Sequence, residues 1–226
     1  MLGPAIRDLP SPNQDDRPAG VPVDMLILHY TGMPTAAAAL DRLRDPAAAV
    51  SSHYVVEEDG QVWRLVPEGR RAFHAGVSSW RGHAALNGRC VGIEIVNPGH
   101  EWGYRPFPAL QMAAVCDLCL GILSRHPIPA RNVVGHSDVA PDRKQDPGEL
   151  FDWRGLARNG VGLWPGPDGV PAADARAALE AIGYPVPDLA TTLRAFQRHW
   201  LPEHLTGEAD AATMARLGAV LAAVTA

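Results

Sequence analysis

The sequence predicts an α/β protein in which a central sheet is flanked by helices, followed by a small all-α segment. Three observations support this fold class. Apolar runs of strand length lie at residues 23–30 and 91–96, a hairpin pattern lies at residues 50–66, and helical periodicity alone is found beyond residue 171. Because strand and helix patterns alternate up to about residue 160, this first part has the organisation of an α/β domain.

Length and composition place the chain among ordinary globular proteins. It has 226 residues, of which 46% are hydrophobic and 20% are charged, enough for one large domain or one domain with a small appendage. The net charge of −5 argues against nucleic acid as a partner, since nothing would attract a phosphate backbone. Without a run of about 18 apolar residues, no membrane-spanning segment is expected.

Residues 1–22 are interpreted as an extended N-terminal arm. The first 20 residues are polar and rich in proline, with neither the apolar core of a signal peptide nor a lipid-anchor cysteine. We therefore expect a cytoplasmic location, with the periplasm as the alternative for a chain whose leader has been removed. The protein is expected to be a monomer.

The first strand and helix follow from periodicity and capping. Residues 23–30 (VDMLILHY) form a near-continuous apolar run, typical of a strand buried on both faces. After a Thr31-Gly32 turn, residues 35–44 are rich in alanine and predict a helix with Thr35 as its N-cap.

The later elements of residues 23–160 are predicted from the same signals. They are, in order, a hairpin of residues 50–57 and 61–66 around Asp59-Gly60, a loop at 67–89, a strand at 91–96, a helix that contains Cys116 and Cys119, a strand ending at Val134, a polar loop interrupted by prolines at 135–148, and a short helix from Asp152.

Cys116 and Cys119 form a CxxC pair, a spacing found in redox and metal sites. Together with Met112 and Leu123 they are spaced by four, three and four residues, which is the spacing of a buried helix face. Free cysteine packs as a small apolar residue, so we interpret the pair as part of the core. Cys90 directly precedes a strand with no evident base nearby, which argues against a catalytic nucleophile.

Residues 161–171 are dense in glycine and proline and are interpreted as a linker. Residues 172–226 then predict three amphipathic helices and no strand. Two apolar stripes support this prediction: Leu189, Leu193, Phe196 and Trp200, and Met214, Leu217, Leu221 and Val224. The segment lacks a catalytic cluster, so both a packing role and a binding role remain open.

Candidate metal ligands lie at the ends of two predicted strands. His29 and His136 each follow an apolar run, and Asp146 follows His136 in the polar loop. Two imidazoles and a carboxylate match an open catalytic zinc site in which water is the fourth ligand. The same set can hold non-haem iron. The alternatives are structural roles for the histidines and a capping role for the aspartate.

Glu94 and Lys144 are candidates for catalysis. Glu94 lies in the apolar run VGIEIV, where an unpaired carboxylate is costly to bury. It fits a general base with a raised pKa, or a partner of an arginine. Lys144 lies two residues before Asp146, so its ammonium can face the substrate and stabilise an oxyanion. A solvated loop lysine is the alternative.

These candidate residues and the segments around them indicate a resemblance to a known protein family. The sequence resembles the zinc-dependent N-acetylmuramoyl-L-alanine amidases, which are related to phage amidase lysozymes and peptidoglycan recognition proteins. The matching segments span about residues 23–157 in the family's order: LHYT (28–31), SSHY (51–54), RAFHAGVS (71–78), VGIE (91–94) and GHSDVAPDRKQDPG (135–148). The last segment is the most specific.

The resemblance implies a fold and a set of roles. It implies a mixed central sheet flanked by helices, with Zn²⁺ held by His29, His136 and Asp146. It also implies Glu94 as the acid/base and Lys144 as the residue beside the oxyanion. Residues expected to bind the substrate are His74, Asn87, Tyr30 and His53.

The resemblance also implies a substrate and a C-terminal role. Residues 193–200 (LRAFQRHW) look like the Gram-negative subgroup with a peptidoglycan-binding-like helical domain at residues 172–226. Members of that subgroup act on peptidoglycan fragments, including those that end in 1,6-anhydro-muramic acid. We therefore expect cell-wall turnover or murein recycling, with peptidoglycan or a muropeptide as substrate. The alternatives are a non-catalytic peptidoglycan sensor and an iron oxygenase.

Overall fold

The structure is a computed structural model that describes residues 5–166 and 169–225. Residues 1–4 of the predicted arm, residues 167 and 168 of the predicted linker, and residue 226 of the predicted helical segment lie outside the described residues.

A six-stranded mixed sheet forms the centre of the molecule, with two short antiparallel pairs of strands beside it. The strands are β1 (Ile6–Asp8), β2 (Gln14–Asp16), β3 (Met25–Tyr30), β4 (Tyr54–Val56), β5 (Val62–Arg64), β6 (Arg70–Ala72), β7 (Ser79–Trp80), β8 (His83–Ala84), β9 (Cys90–Ile95) and β10 (Val133–Gly135). The order in the central sheet is β1-β5-β4-β9-β3-β10. Neighbours in it pair in parallel, except β4 and β5, which form the antiparallel hairpin. The two antiparallel pairs are β2 with β6 and β7 with β8. The predicted α/β class with a mixed sheet is confirmed.

Helices flank this sheet and make up the C-terminal segment. Thr35 caps the first of them by accepting a hydrogen bond from the Ala38 amide at 3.1 Å, as predicted. Asp152, Asp174 and Asp188 cap three later helices in the same way. The helices are α1 (Ala36–Arg44), α2 (Gly99–Trp102), α3 (Ala109–Arg125), α4 (His136–Val139), α5 (Trp153–Arg158), α6 (Ala175–Ile182), α7 (Leu189–Trp200) and α8 (Ala211–Thr225).

The two faces of the sheet belong to two hydrophobic cores. On one face, Leu26, Leu28 and Ile93 pack with α3 and α5. On the other face, Met25 and Ile27 pack with α6, α7 and α8 through a cluster that includes Leu179, Phe196 and Leu217. The C-terminal helices therefore form a layer on the sheet and share its core. Successive apolar side chains of β3 point to opposite faces of the sheet, and both faces are covered. This explains the near-continuous apolar run in the sequence of this strand.

Several short elements differ from the expectation. The predicted arm carries β1 and β2, and the predicted loop at residues 67–89 carries β6, β7 and β8. These strands are two or three residues long and mostly polar, so partners distant in sequence stabilise them rather than local propensity. The polar loop also begins with one helical turn, α4, where no helix was expected.

The cysteine pair of α3 packs as expected, but the buried face is rotated slightly. Cys119 is fully buried, whereas Cys116 is half-buried against the same core. Besides Cys119, the most buried positions of α3 are Gln111, Val115 and Ile122. None of the helices among the described residues is long and apolar enough to cross a membrane.

We expect Leu179→Ala to lower the free energy of unfolding of the protein by about 2–5 kcal/mol, because it leaves a cavity in the core shared by α6 and the sheet. Leu179 is fully buried. The matched control is Leu110→Ala in α3, whose side chain is 69% exposed and whose loss should cost little. Urea denaturation followed by circular dichroism measures both, and equal losses would contradict the shared core.

Candidate metal centre

Strand register brings the candidate residues to one edge of the sheet. In the parallel pair of β3 and β9, His29 lies directly opposite Glu94. In the parallel pair of β3 and β10, Gly135 lies opposite Leu28, so the next residue, His136, reaches the level of His29. Because side chains alternate along a strand, residues at one level share one face. Glu94, His29 and His136 therefore stand in a row at the carboxyl ends of three adjacent strands.

Asp146 completes a group of three at this edge. His29 Nδ1 lies 2.9 Å from His136 Nδ1, and each of these atoms lies 3.0 Å from Asp146 Oδ2. All three side chains are buried, and together they could hold a metal ion. The amide of Ser137 donates to the Asp146 carbonyl at 2.9 Å, which ties the two ends of the loop together.

The donor set fits a divalent cation. Tetrahedral zinc at its usual bond lengths would separate its ligand atoms by roughly 3.3 Å, close to the separations observed. His136 Nε2 lies 3.2 Å from the Ala75 carbonyl, which can only accept, so the ring proton is on Nε2 and the lone pair of Nδ1 faces Asp146. Lone pairs that converge in a buried space call for a cation between them.

The titration of these ligands is consistent with cation binding. Burial, and then the neighbouring His136, lower the pKa of His29 to about 4, so the ring is neutral near pH 7. Burial alone would raise the pKa of Asp146, but His136 and His29 outweigh it and hold the pKa well below its usual range. Neutral imidazole and ionised carboxylate are the forms that bind metal.

His74 supports His29 from behind. Its Nδ1 lies 2.9 Å from His29 Nε2, and its Nε2 lies 3.3 Å from Cys90 Sγ. When His29 binds metal through Nδ1, its Nε2–H donates to His74, and His74 in turn donates to Cys90. A Cβ at Gly92 would lie 2.5–2.6 Å from three atoms of the His74 ring. Only glycine at position 92 leaves room for this ring.

A pocket of about 380 Å³ opens beside this group, and His136 and Asp146 line it. Glu94, Lys144, Tyr30 and His74 all line it. No group among residues 5–166 and 169–225 hydrogen-bonds Oε2 of Glu94, although this atom is buried. Burial and the charge of Asp146 raise the pKa of Glu94 well above its usual range, while Lys144 lowers it.

Two expected substrate-binding residues do not line this pocket. His53 is fully buried; its Nδ1 accepts from the Gly92 amide at 2.9 Å, and its Nε2 lies 3.1 Å from the Arg70 carbonyl. Asn87 accepts from the amides of His74 and Ala75 through Oδ1 at 3.1 and 2.8 Å. Both residues hold the backbone around the site, His53 through its two ring nitrogens and Asn87 through Oδ1.

Two residues of this region give no functional signal in the sequence. His100 lines the pocket, hydrogen-bonds the Tyr30 hydroxyl at 2.9 Å and contacts Glu149 at 3.2 Å. It lies in α2, a single helical turn within a glycine- and aromatic-rich segment that has no periodic pattern. Asp138 lies inside the matching segment at residues 135–148, yet no role was assigned to it. Its partners come from distant parts of the chain.

Comparisons with known proteins agree with this geometry. The profile of the N-acetylmuramoyl-L-alanine amidase family matches residues 19–149. The N-acetylmuramoyl-L-alanine amidase AmiD of Escherichia coli (strain K12) is 37% identical in an alignment that covers 88% of this chain and 82% of that protein. The 1,6-anhydro-N-acetylmuramyl-L-alanine amidase AmpD of Citrobacter freundii is 34% identical in an alignment that covers 65% of this chain and 86% of that protein.

Solved structures show the same similarity. The complex of E. coli AmiD with the substrate anhydro-N-acetylmuramic acid-L-Ala-D-gamma-Glu-L-Lys has a TM-score of 0.79 at 37% identity, and the match covers 91% of both chains. AmpDh3 from Pseudomonas aeruginosa in complex with anhydromuramic pentapeptide has a TM-score of 0.79 at 32% identity over 96% of both chains.

His74→Leu should weaken metal binding by about 10–100-fold, because His29 loses the acceptor that orients its ring. The asparagine of His74→Asn has nearly the same shape as the leucine of His74→Leu, but it keeps an oxygen where Nδ1 lies. This variant should therefore retain most of the affinity for metal. Competition with a chromophoric chelator measures both variants. Equal affinities for the two variants would show that the acceptor has no role.

His53 should contribute to loss of stability in acid. Burial, and then Arg17, lower its pKa from 6.5 to about 3 in the folded protein. The unfolded state therefore binds more protons between these values, so the stability from His53 is full above pH 6.5 and is lost as the pH falls towards 3.

In His53→Asn the amide oxygen can still accept from Gly92, but nothing titrates in this range. The metal-free variant should lose less stability than the metal-free wild type as the pH falls, by up to about 1.4 kcal/mol per pH unit. Urea titrations from pH 7 to pH 4 measure this difference. The control is His83→Asn, since His83 is exposed, and a shallower slope in this control would contradict the assignment.

Proposed function

This chain belongs to the N-acetylmuramoyl-L-alanine amidase family, and on that premise we propose that it hydrolyses the amide between N-acetylmuramic acid and L-alanine in muropeptides. The observation that supports this function is the group of His29, His136 and Asp146 beside the pocket-lining Glu94. The proposed substrates include fragments that end in 1,6-anhydro-muramic acid, because the similar AmiD and AmpDh3 structures hold anhydromuropeptides.

The metal in this proposal is Zn²⁺, held by His29, His136 and Asp146. Zinc bound there would polarise the amide carbonyl and lower the pKa of water. The preference for zinc over iron rests on the hydrolytic family, since a set of two imidazoles and one carboxylate suits both metals. Elemental analysis of the purified protein distinguishes the two metals.

Glu94 is the proposed general base and acid. Its buried Oε2 has no hydrogen-bond partner among the described residues, so it is free to take a proton from the attacking water. Its pKa is raised by burial and by Asp146, which makes the carboxylate a stronger base towards the attacking water. The opposed positions of Glu94 and His29 on neighbouring strands keep the base beside the ligands.

Lys144 is the proposed stabiliser of the developing oxyanion. It is half-buried and lines the pocket two residues before Asp146. Its charge lowers the pKa of both His29 and Glu94, which supports a role for the ammonium close to the reacting groups. A preorganised cation beside an oxyanion contributes about 2–4 kcal/mol to lowering such a barrier.

Of the four residues expected to bind the substrate, Tyr30 and His74 line the pocket and remain proposed substrate contacts. Tyr30 also hydrogen-bonds His100, which makes His100 a further candidate at the rim. The cytoplasmic location, the monomeric state and a peptidoglycan-binding role for residues 172–226 stay predictions.

Glu94→Gln should lower turnover of an anhydro-muramyl-tripeptide by about 10²–10⁴-fold, because the amide cannot accept the proton of water. Zinc content should stay near that of the wild type, since Glu94 is not a proposed ligand. Mass spectrometry of the released peptide and elemental analysis measure the two quantities.

Glu180→Gln is the control, because Glu180 is exposed on α6, and it should leave both quantities unchanged. Near wild-type turnover by Glu94→Gln would remove Glu94 from the mechanism. Muropeptide binding by a wild-type protein that releases no peptide would point instead to a non-catalytic sensor.

A further inference from the structure

A second buried carboxylate lies two residues after the ligand His136. Asp138, in α4, is fully buried and both of its oxygens are engaged. Oδ2 accepts from the Gly135 amide at 2.7 Å and lies 2.7 Å from His199 Nδ1, and Oδ1 accepts from the Tyr184 hydroxyl at 2.6 Å. Because an ionised carboxylate can only accept, Nδ1 of His199 carries the proton.

The two side chains that approach Asp138 from a distance both belong to the C-terminal layer. His199 lies on α7 and Tyr184 precedes that helix. The Tyr184 hydroxyl accepts from Trp200 Nε1 at 3.0 Å, and the His199 ring is stacked between Trp153 and Trp200 at centroid distances of 3.9 and 4.0 Å. Both donors are therefore held rigidly by aromatic packing.

Asp138 controls the backbone from which His136 projects. Gly135 immediately precedes this ligand and donates its amide hydrogen to Asp138. A Cβ at Gly135 would lie 2.7 Å from Pro147 Cδ and 3.3 Å from Trp153. Pro147 directly follows the ligand Asp146. A shift of Asp138 would therefore be felt at both His136 and Asp146, because close-packed groups transmit small displacements.

A second contact joins α7 to the same loop. Arg198 donates to the side chain of Gln145 at 3.3 Å and lies 3.8 Å from the carboxylate of Glu149. Gln145 directly precedes the ligand Asp146. Three consecutive residues of α7, Arg198 to Trp200, thus hold the loop that supplies two of the three ligands, either directly or through Tyr184.

We propose that Asp138 is a positioning residue of the metal centre, and that the C-terminal helices act on metal binding through His199 and Tyr184. This inference rests on the metal site of the proposed function. Three hydrogen bonds stabilise the buried carboxylate, so loss of one donor leaves part of its charge uncompensated and allows α4 to move. A layer that only packed against the sheet would change stability but not the affinity for metal.

Tyr184→Phe tests this role by removing one hydroxyl. The full-length variant should bind Zn²⁺ about tenfold more weakly than the wild type in a chelator competition. Its Co²⁺ form should also show a changed visible absorption spectrum, since the ligand geometry is altered. Thermal melting of the metal-free protein gives the accompanying loss of stability.

Thr213→Val is the matched control, because it also removes a fully buried hydroxyl from the C-terminal layer. Thr213 hydrogen-bonds Gln197 at 2.9 Å and does not contact Asp138. It should lower the melting temperature while leaving the Zn²⁺ affinity within about twofold of the wild type and the Co²⁺ spectrum unchanged.

A second pair of variants tests the same link if Tyr184→Phe does not fold. His199→Asn keeps an N–H donor near the position of Nδ1, whereas His199→Leu of similar size has none, so only the leucine variant should lose metal affinity. Wild-type affinity and spectrum in the folded variants that lack a donor would overturn the proposal. A wild-type protein that binds neither Zn²⁺ nor Co²⁺ would overturn the metal site as well, which is a distinct result.

Discussion

The parallel register of three central strands is the constraint on which the site depends. His29 lies opposite Glu94 only because β3 and β9 pair from Met25 with Cys90 to Tyr30 with Ile95. A slip of one residue would turn every side chain of β3 to the other face of the sheet. The apolar side chains of β3 are buried on both faces, so such a slip would disturb two cores at once. The register is therefore held mainly by hydrophobic packing, and the chemistry follows from it.

The polar groups at this edge of the sheet need hydrogen-bond partners, and the fold supplies such partners behind His29 and behind His136. Behind His29, His74 and Cys90 form a short hydrogen-bonded chain in space left by Gly92. Behind His136, Asp138 is held by donors from the C-terminal layer. Glu94 is the exception, since its buried Oε2 has no partner among the described residues. An unsatisfied carboxylate oxygen in a pocket is costly for stability, and the role in proton transfer proposed for Glu94 would account for that cost.

The C-terminal helices are part of the surroundings of the site, because they share a hydrophobic core with β3. Leu179, Phe196 and Leu217 pack in the same cluster as Met25 and Ile27 of β3. Arg198 and His199 of α7 then extend polar contacts from this layer to the loop that carries Asp146. Helix α7 therefore contributes both to the hydrophobic packing against β3 and to the polar contacts with the loop of the metal ligands. These two contributions come from successive turns of α7.

The α/β class, the hairpin and the capped helices follow from the amino-acid sequence, because they depend on periodicity and turn chemistry within short windows. Position along the chain also made His29, His136, Asp146 and Glu94 candidates for the site, while their roles as metal ligands and acid/base came from the family resemblance. The contacts between distant elements were needed to establish that His53 and Asn87 support the backbone, that His74 contacts a ligand from behind, and that Asp138 is held by residues 46 and 61 positions away. Side-chain hydrogen bonds between distant elements have no local pattern, since they depend on strand register and on how the layers pack.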